Sequence, residues 1–536
     1  MSRLDSLSMK AFTIRQLLES GMFAPTRPDK LVRTIKAISD WGPTTAAGYT
    51  ASAIRYPNET ALIDELGSLT FAEVHRRTNA LAHAWSDAGL VEGDGVAILC
   101  RNHRGFVEAV VACSKLGTHA LFLNTAFAGP QLEEVCEREQ PRAIVYDEEF
   151  AELVAGAATG RERYLAWADS DRPDVPLLED LIAKGDPSDV VPPASKGRIV
   201  ILTSGTTGTP KGANRKQPES LAPVAALLSK IPIRARGRTM IAAPLFHSWG
   251  LAHFILGTGL SSTLLLRRRF DPEDTLRAID EHGATGLIVV PVMLQRILDL
   301  GPKVIGRYDT ASLRVIAASG SALAGELATR VMDEFGDVLY NFYGSTEVAW
   351  ATIATPEDLR AAPGTAGRPP RGTVLRLYDA DGKEVGSGET GRIFVGNEMV
   401  FDGYTGGGAK SLIDGLTSSG DIGHFDEGGR LFVDGRDDEM IVSGGENVFP
   451  REVEDLVAGL DGVEEVAMIG VEDADFGQRL KAFVVLSEGA SISEDDVKAH
   501  VMAHLARFKV PREVVFLDEL PRHATGKVLK RELVGL

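Results

Sequence analysis

The sequence predicts an α/β protein, and three observations support that class. Strand-like runs alternate with helix-period segments over 70–147 and again over 198–344, which is the rhythm of parallel sheets covered by helices. From about Pro363 the chain becomes dense in glycine and proline, and an α+β pattern follows after residue 440. We therefore expect a large N-terminal body of two related α/β lobes plus a small β-rich subdomain, followed by a small mobile α+β C-terminal domain.

The elements follow in order along the chain. A helix is predicted over 70–90, because Phe71, Val74, Leu81 and Trp85 recur at helical spacing. Further strands are predicted at 95–100, 119–124, 142–147, 198–205, 262–268, 286–291, 313–320 and 337–344, and helices at 105–117, 130–139, 271–282, 292–300 and 325–336. The tail is expected to hold helices at 450–460 and 493–507 and strands near 464–470, 481–486 and 513–517.

The domain boundaries follow from changes in composition. We predict a large domain over 1–434, with the β-rich subdomain at about 363–434, and a C-terminal lid domain over 439–536. Between them "GRDDE" contains no apolar residue, so residues 435–438 are predicted as a linker between the two bodies.

Size and charge exclude several classes of protein. A chain of 536 residues is too long for one compact core. Its net charge of −18, from 75 acidic and 57 basic side chains, opposes nonspecific binding to nucleic acid. Three cysteines are too few for a disulfide framework, so a reducing cytoplasm is expected, with Cys113 as a buried hydrophobe.

A membrane span is not predicted. The longest apolar segment, 251–266, is interrupted by His, Gly, Ser and Thr and is shorter than the roughly 20 residues that a spanning helix needs. A peripheral membrane contact and the oligomeric state are left open.

Three glycine-containing segments carry candidate chemistry. "TSGTTGTPKG", 203–212, follows a strand and offers backbone N–H groups, hydroxyls and Lys211 to phosphate oxygens, although it lacks the P-loop ending. Pro210 disfavours a direct run into a helix. "NFYGSTE", 341–347, offers Tyr343 as a flat face for a base and Glu347 as an oxygen ligand for Mg²⁺. In "TSSGDIG", 417–423, Asp421 could accept two ribose hydroxyls; a flexible loop, a plain strand end and an Asx turn are the respective alternatives.

The order of these segments resembles the adenylate-forming superfamily of acyl- and aryl-CoA ligases, luciferases and peptide-synthetase adenylation domains. "GRDDEMIVSGGENVFPREVE" (435–454) and "LPRHATGKVLKREL" (520–533) complete five separated motifs over roughly 50–533. "PLFHSWG", "SGGENVFP" and "PRHATGK" are most similar to bacterial fatty-acyl-CoA ligases.

The resemblance implies a role for each matching position. Lys527, Glu347, Thr206 and Lys211 would be catalytic, with Lys527 bridging the carboxylate and the α-phosphate, and Glu347 with Thr203 would hold Mg²⁺. Asp438 would be the hinge, Gly444 and Gly445 would contact CoA, and His247 and Trp249 would lie near the acyl group. The ATP- and AMP-binding set would be Thr203, Ser204, Gly205, Thr206, Thr207, Gly208, Lys211, Gly320, Ser321, Ala322, Asn341, Phe342, Tyr343, Gly344, Thr346, Asp421 and Arg436.

The implied activity is the joining of a medium- or long-chain fatty acid to coenzyme A through an acyl-adenylate, with ATP and Mg²⁺. No acidic residue occurs in 246–260, which argues against an amino acid substrate. An aryl-CoA ligase stays open as an alternative. A fatty-acyl-AMP ligase that loads a carrier protein is disfavoured because no insertion lies between Asp421 and Ser443. A non-catalytic binding module is disfavoured because Lys211, Glu347 and Lys527 are all present.

Overall fold

The structure is a computed structural model. It describes residues 3–170, 174–203, 211–214, 220–345, 348–399, 403–404, 410–437, 439, 441–443, 446–473, 477–505, 507–522 and 526–536. The chain divides into two compact units. The first unit comprises Met1–Ala318 with Phe401–Ala409, and the second comprises Ser319–Val400 with Lys410–Leu536.

Helices and strands alternate through most of the first unit. Its elements up to Ala318 are α1 (Arg3–Glu19), α2 (Pro28–Trp41), α3 (Thr45–Arg55), β1 (Thr60–Asp64), β2 (Gly67–Thr70), α4 (Phe71–Asp87), β3 (Gly95–Leu99), α5 (Arg104–Leu116), β4 (His119–Phe122), α6 (Gly129–Glu139), β5 (Ala143–Asp147), α7 (Ala151–Val154), β6 (Glu162–Trp167), α8 (Leu178–Lys184), β7 (Ile199–Thr203), β8 (Lys211–Asn214), α9 (Ala222–Lys230), β9 (Arg238–Ile241), α10 (Ser248–Gly259), β10 (Thr263–Leu265), α11 (Pro272–His282), β11 (Gly286–Val289), α12 (Pro291–Asp299), α13 (Pro302–Ile305) and β12 (Val315–Ala318).

The remainder of the chain is richer in antiparallel strands. Its elements are α14 (Gly325–Phe335), β13 (Leu339–Tyr343), β14 (Thr352–Ala354), α15 (Pro356–Ala361), β15 (Val374–Tyr378), β16 (Gly391–Gly396), β17 (Gly403–Tyr404), β18 (Leu412–Ile413), β19 (Leu416–Phe425), β20 (Leu431–Arg436), β21 (Ile441–Ser443), β22 (Glu446–Val448), α16 (Pro450–Ala458), β23 (Val463–Asp473), β24 (Gly477–Leu486), α17 (Glu494–His504), β25 (Glu513–Phe516) and α18 (Lys530–Leu533). Of these, β17 belongs to the first unit.

Two sheets organise the first unit. One has the strand order β17-β8-β7-β4-β3-β5-β6, and the other contains the run β12-β11-β9-β10-β1-β2. The pairs β3–β4, β3–β5, β4–β7, β9–β10 and β11–β12 are parallel. The two predicted βα stretches therefore do not correspond one to one with the two sheets, because β7 and β8 of the second stretch lie in the sheet of β3, β4 and β5.

Local chemistry explains where α4 begins. Thr70 Oγ1 accepts a hydrogen bond from the Glu73 backbone N–H at 3.2 Å, and the Glu73 carboxylate accepts one from the Thr70 N–H at 2.7 Å. This capping box satisfies two N–H groups that would otherwise lack a helical partner. Phe71, Val74 and Trp85 are buried, as their spacing predicts.

The second unit contains two antiparallel-dominated sheets. In the first, β15-β16-β19-β18 form the path and β20 pairs with β19; in the second, β22-β21-β24-β23 form the path and β25 pairs with β24. Strand β13 pairs with β14, with Tyr343 opposite Thr352. The register of β19 and β20 places Asp421 opposite Arg436, which sets up the cluster described below.

The predicted α/β class is confirmed, and so are most predicted elements, with ends that differ by a few residues. All three cysteines are buried and reduced, Cys113 among them. Within the described part of the chain, no helix combines the length and apolar character that crossing a bilayer requires. The boundary at 435–438 stays a prediction, and Asp438 lies outside the described residues.

Candidate active site

A polar cluster in the second unit centres on Asp421 of β19. The Tyr343 hydroxyl donates to Asp421 Oδ2 at 2.5 Å and lies 3.3 Å from Ser419 Oγ. Ser419 Oγ in turn accepts from the Asp421 backbone N–H at 3.1 Å. Arg436 Nη1 lies 3.7 Å from Asp421 Oδ1. Three predicted site residues, Tyr343, Asp421 and Arg436, are thus gathered around one carboxylate.

The electrostatics of this cluster suit a carboxylate that accepts hydrogen bonds. Burial raises the pKa of Asp421, whereas the Tyr343 hydroxyl and the positive charges of Arg436, Lys527 and Lys410 oppose that rise. Burial, together with the adjacent Asp421, raises the pKa of Tyr343 well above its usual value, so the hydroxyl keeps its proton and remains a donor.

Lys527 has an exposed side chain whose charge reaches the Asp421 carboxyl. This is the lysine that the C-terminal motif predicts as catalytic. Lys410 contributes a second cation that the sequence reasoning missed. A Cβ added to Gly420 would lie 3.2 Å from Lys410 Nζ, so this ammonium stands directly beside the "SGD" turn. A lone lysine after a glycine run gives no motif, and geometry alone identifies it.

The segment 341–344 is ordered by contacts on both sides. Asn341 is buried and its Nδ2 donates to the Thr365 carbonyl at 3.3 Å, and the Phe342 ring packs edge-on against Trp350 at 6.4 Å. A Cβ at Gly344 would lie 2.1 Å from the Ala349 carbonyl oxygen. Only glycine fits there, because any side chain would clash with that carbonyl.

The segment predicted to enclose adenine follows β12. Gly320 has a φ of 95°, Gly320 and Ala322 are exposed, and Ser321 is half-buried. Their adenine contact stays a prediction, as do the roles of Thr346 and Glu347, which lie outside the described residues.

The predicted phosphate loop joins two antiparallel strands of the first unit. Thr203 at the end of β7 is the register partner of Lys211 at the start of β8, with Leu202 opposite Gly212. The segment after Pro210 is therefore a strand and not a helix, as its sequence indicates. Ser204, Gly205, Thr206, Thr207 and Gly208 lie outside the described residues, as do Gly444 and Gly445.

Helix α10 carries the residues predicted near the acyl group. Trp249 is buried, and its Nε1–H donates to the Val289 carbonyl at 3.0 Å. His247 is half-buried at the helix N-cap, with its ring 4.5 Å from that of Phe246. A Cβ at Gly250 would lie 2.3 Å from the Pro244 carbonyl oxygen, so the preceding loop packs tightly on the first turn of the helix.

His253, one turn after Trp249, was missed by the sequence reasoning. It is 2% exposed, its ring meets Trp249 edge-on at 4.2 Å, and burial lowers its pKa to about 4. Its Nδ1 lies 3.1 Å from the Trp249 carbonyl, which can only accept, so Nδ1 carries the proton. Nε2 is then a buried lone-pair acceptor, and no described residue bonds to it. His253 lies among apolar residues in the sequence, so no polar motif identifies it.

Asn102 positions the loop that leads into α10. Its Nδ2 donates to the Ile241 and Ala243 carbonyls at 3.1 and 2.9 Å, and its Oδ1 accepts from the Leu245 N–H at 2.8 Å. This side chain links the end of β3 to the other sheet of the first unit. Asn102 lies three residues after the end of β3, and no sequence motif identifies it.

Cys100 and His103, close to Asn102 in the sequence, and Asp147 carry atoms that could ligate a metal. The polar atoms of His103 and Asp147, however, already form hydrogen bonds within the protein. His103 Nε2 lies 2.8 Å from Asp147 Oδ1, His103 Nδ1 accepts from the Gly105 N–H at 3.1 Å, and Asp147 Oδ2 accepts from the Arg101 N–H at 2.9 Å. We assign this group a structural role.

The arginine run 267–269 is paired with acidic side chains. Arg267 binds Asp274 at 2.9 Å, and Arg268 and Arg269 bind Glu149 at 3.1 and 2.9 Å. These side chains hold the surface of the first unit together.

The α/β fold and the acceptor carboxylate of Asp421 suit the class of nucleotide-dependent ligases. Residues 49–405 match the family of AMP-binding enzymes, and residues 452–527 match the C-terminal domain of AMP-binding enzymes. The chain belongs to this family, the adenylate-forming enzymes, and is by class an AMP-forming acid–thiol ligase.

Three related proteins illustrate the similarity. The chain is 34% identical to a feruloyl-CoA synthase of Amycolatopsis over 488 residues, which covers 89% of this chain and 96% of that one. It is 30% identical to a fatty acid–[acyl-carrier-protein] ligase of Streptomyces coeruleorubidus over 497 residues, with 89% and 93% covered. The structure of o-succinylbenzoate CoA synthetase from Bacillus subtilis with its acyl-adenylate intermediate superimposes with a TM-score of 0.79, at 26% identity and with 91% and 97% covered.

Proposed function

We propose that this enzyme joins an apolar carboxylic acid to coenzyme A in two half-reactions. A carboxylate oxygen attacks the α-phosphorus of ATP, the bond to pyrophosphate breaks, and an acyl-adenylate forms. The CoA sulfur then attacks the acyl carbon, AMP leaves with the carboxyl oxygen, and the thiol proton is released. The observation that carries the proposal is the Tyr343–Asp421–Arg436 cluster with the charge of Lys527 directed at it.

In this mechanism Asp421 binds the ribose. An ionised carboxylate is purely an acceptor, and two ribose hydroxyls are donors, so the pair is complementary. Tyr343 holds the carboxylate in one orientation through its 2.5 Å hydrogen bond. Arg436 and Lys410 add positive charge beside the nucleotide, which offsets the cost of placing a carboxylate near phosphates.

Lys527 bridges the attacking carboxylate and the α-phosphate in the proposed first step. Both partners are anions that repel each other, so a cation between them stabilises the transition state more than the separated reactants. Its exposed side chain is available to a ligand. The reaction needs alignment and charge neutralisation more than acid–base chemistry, because the carboxylate is already a nucleophile.

The remaining nucleotide contacts stay proposals from the motifs. Thr206 and Lys211 of the 203–212 segment would hold the β- and γ-phosphates, and Glu347 with Thr203 would supply hard oxygen ligands to Mg²⁺. That ion would neutralise phosphate charge. Asp438 would let the C-terminal residues reorient between half-reactions, and Gly444 and Gly445 would admit the CoA chain.

The acid is proposed to lack an ammonium group. Residues 246–260 contain no carboxylate that could bind one. Trp249 and His253 present instead a buried aromatic face and a neutral imidazole, since burial lowers the pKa of His253 to about 4.

A ring-bearing acid with a hydrogen-bond donor is the substrate class that we favour. The lone pair on His253 Nε2 is buried, and an unsatisfied buried acceptor is costly. A phenol or similar donor on the substrate would remove that cost, whereas a hydrocarbon chain would not. The relatives named for feruloyl and succinylbenzoyl substrates support a ring-bearing acid.

A medium- or long-chain fatty acid is the second candidate. The apolar character of α10 and the similarity to a fatty acid ligase favour it. That relative transfers to an acyl-carrier protein. We favour CoA as the acceptor because the chain has no insertion between Asp421 and Ser443.

An acid panel tests the proposal directly. Purified enzyme with ATP, Mg²⁺ and CoA should form thioester and AMP in equal amounts from at least one of acetate, decanoate, octadecanoate, benzoate, para-hydroxycinnamate and para-methoxycinnamate. We expect para-hydroxycinnamate to exceed its methoxy analogue, which lacks the donor, in kcat/KM. A preference for decanoate would establish the second candidate, and failure of every acid to support ATP–pyrophosphate exchange would refute the ligase proposal.

A further inference from the structure

The two N-terminal helices carry large apolar side chains that face solvent. On α2, Val32 is 68% and Ile35 58% exposed, with Leu31 and Ile38 about half exposed. On α1, Leu7, Ile14 and Leu18 are exposed on one helical face, since they are spaced seven and four residues apart. These helices precede residue 49, where the family match begins, so the shared catalytic chain does not account for them.

Helix α2 has two distinct faces. Thr34, Ala37 and Trp41 are buried against the first unit. Val32 and Ile35 lie on the opposite side, because they are three residues apart from each other and neither is three or four residues from a buried position. The packed face needs no further partner, so the exposed apolar face is a separate surface.

This surface is fixed to the body and does not depend on a loop. Lys30 Nζ donates to the Arg55 carbonyl at 2.8 Å, and Arg55 Nη1 donates to the Met22 carbonyl at 3.0 Å. Both bonds tie the ends of the N-terminal helices to α3. The apolar side chains are therefore presented in a set arrangement.

The charge of this segment is opposite to that of the protein. Residues 1–41 contain seven Lys and Arg against four Asp and Glu, whereas the whole chain has 57 against 75. Arg27 and Lys36 pair with Asp29 and Asp40. Lys10 and Arg33 form no ion pair with any residue that the structure describes.

We propose that α1 and α2 form a docking surface for anionic lipid bilayers. Helices that lie in the membrane interface bury an apolar face among the acyl chains and place Lys and Arg beside the headgroups. Anionic lipids attract the excess of basic residues, while they repel the acidic remainder of the chain and so select this face.

A second copy of the chain fits this surface less well. An isologous dimer places the same patch on both subunits, which would bring two positively charged segments together. A bilayer supplies the opposite charge instead, so the charge decides between the two occupants.

Vesicle binding by the full-length protein tests the proposal. Wild-type protein should cosediment with phosphatidylcholine vesicles containing one-third phosphatidylglycerol at least about tenfold more strongly than with pure phosphatidylcholine, and raised salt should weaken this binding. Val32→Asp with Ile35→Asp should lower the partition at least about tenfold. Arg33→Glu with Lys10→Glu should lower it several-fold and reduce the salt dependence.

Val534→Asp is the matched control, because Val534 is 72% exposed in the second unit and its variant should bind like wild type. If Val32→Asp with Ile35→Asp unfolds at a lower temperature than wild type, Val32→Ser with Ile35→Ser is used in its place. Absent binding to anionic vesicles, or equal binding by the apolar-face variants, overturns the proposal. So does a lipid-free dimer in sedimentation velocity that the same variants dissociate, since a second copy would then cover the face.

Discussion

Two groups of site residues differ in how their polar atoms are satisfied. Around Asp421 in the second unit, the carboxylate is surrounded by a tyrosine hydroxyl, an arginine and the charges of two lysines. Around Trp249 in the first unit, aromatic surfaces dominate and His253 Nε2 has no described partner. A surrounded carboxylate suits a ligand that never varies, such as a nucleotide. An open acceptor in an apolar setting suits selection among acids.

The largest effect is expected from a substitution in the polar cluster around Asp421. Lys527→Ala should lower the rate of acyl-adenylate formation by about 100-fold or more, because it removes a cation from the transition state. Thioester formation from supplied acyl-AMP and CoA should be largely spared. ATP–pyrophosphate exchange and a single-step thioester assay measure the two halves separately.

Lys498→Ala is the control for Lys527, since Lys498 pairs with Glu494 on α17 and has no part in the cluster. Equal loss of both half-reactions in Lys527→Ala would contradict the proposal that Lys527 acts in acyl-adenylate formation.

A smaller effect is expected at the centre of the cluster. Asp421→Asn should weaken AMP binding by about 10- to 100-fold, because a charged acceptor contributes about 1.5–3 kcal/mol per hydrogen bond. Tyr343→Phe should weaken it less, as it removes only the group that orients the carboxylate. Isothermal titration with AMP measures both.

Asp434→Asn provides the comparison, because Asp434 pairs with His424 on the same pair of strands at 2.9 Å. If Asp421→Asn binds AMP like this variant, Asp421 does not bind ribose.

Removing the acceptor atom His253 Nε2 should change the preference between acid substrates and leave nucleotide binding unchanged. His253→Leu should lower the kcat/KM ratio of para-hydroxycinnamate to para-methoxycinnamate by about tenfold, the effect of one hydrogen bond to a buried group. The AMP dissociation constant should not move. His282→Leu on α11 is the control; an unchanged substrate ratio in His253→Leu would remove this residue from the acyl-binding region.

The smallest expected effect is on pH dependence. Because burial raises the pKa of Asp421, AMP affinity should begin to fall on acidification at a higher pH than for an ordinary aspartate. The same shift acts on stability with the opposite sign: the folded chain holds this proton more tightly, so stability from Asp421 increases as pH falls through that range. Titrations of AMP binding against pH should lose the acid limb in Asp421→Asn.

The fold was predictable because each element carries its own local signal. The 3.6-residue spacing of Phe71, Val74 and Trp85 and the Thr70 cap define α4 without any tertiary knowledge. The small shifts at strand ends, such as β10 at Thr263–Leu265 within the predicted 262–268, arise because pairing partners decide where a ladder stops.

The site was predictable only where residues occur in motifs. Tyr343, Asp421 and Arg436 each lie in a short glycine-containing segment, and strand register brings them together. His253, Asn102 and Lys410 act through the groups they meet in space, and their neighbours in sequence give no indication of those groups. The proposed substrate preference rests on such dispersed residues, so the choice between ring-bearing and fatty acids could not be read from the sequence.

Gly420 limits how the polar cluster around Asp421 can vary. Its φ of 84° lies in the left-handed region, and an added Cβ would stand 3.2 Å from Lys410 Nζ. Any other side chain would bend the backbone that presents Asp421 and displace the ammonium beside it. In a library randomised over 418–422 and selected for activity, position 420 should return to glycine even where its neighbours diversify.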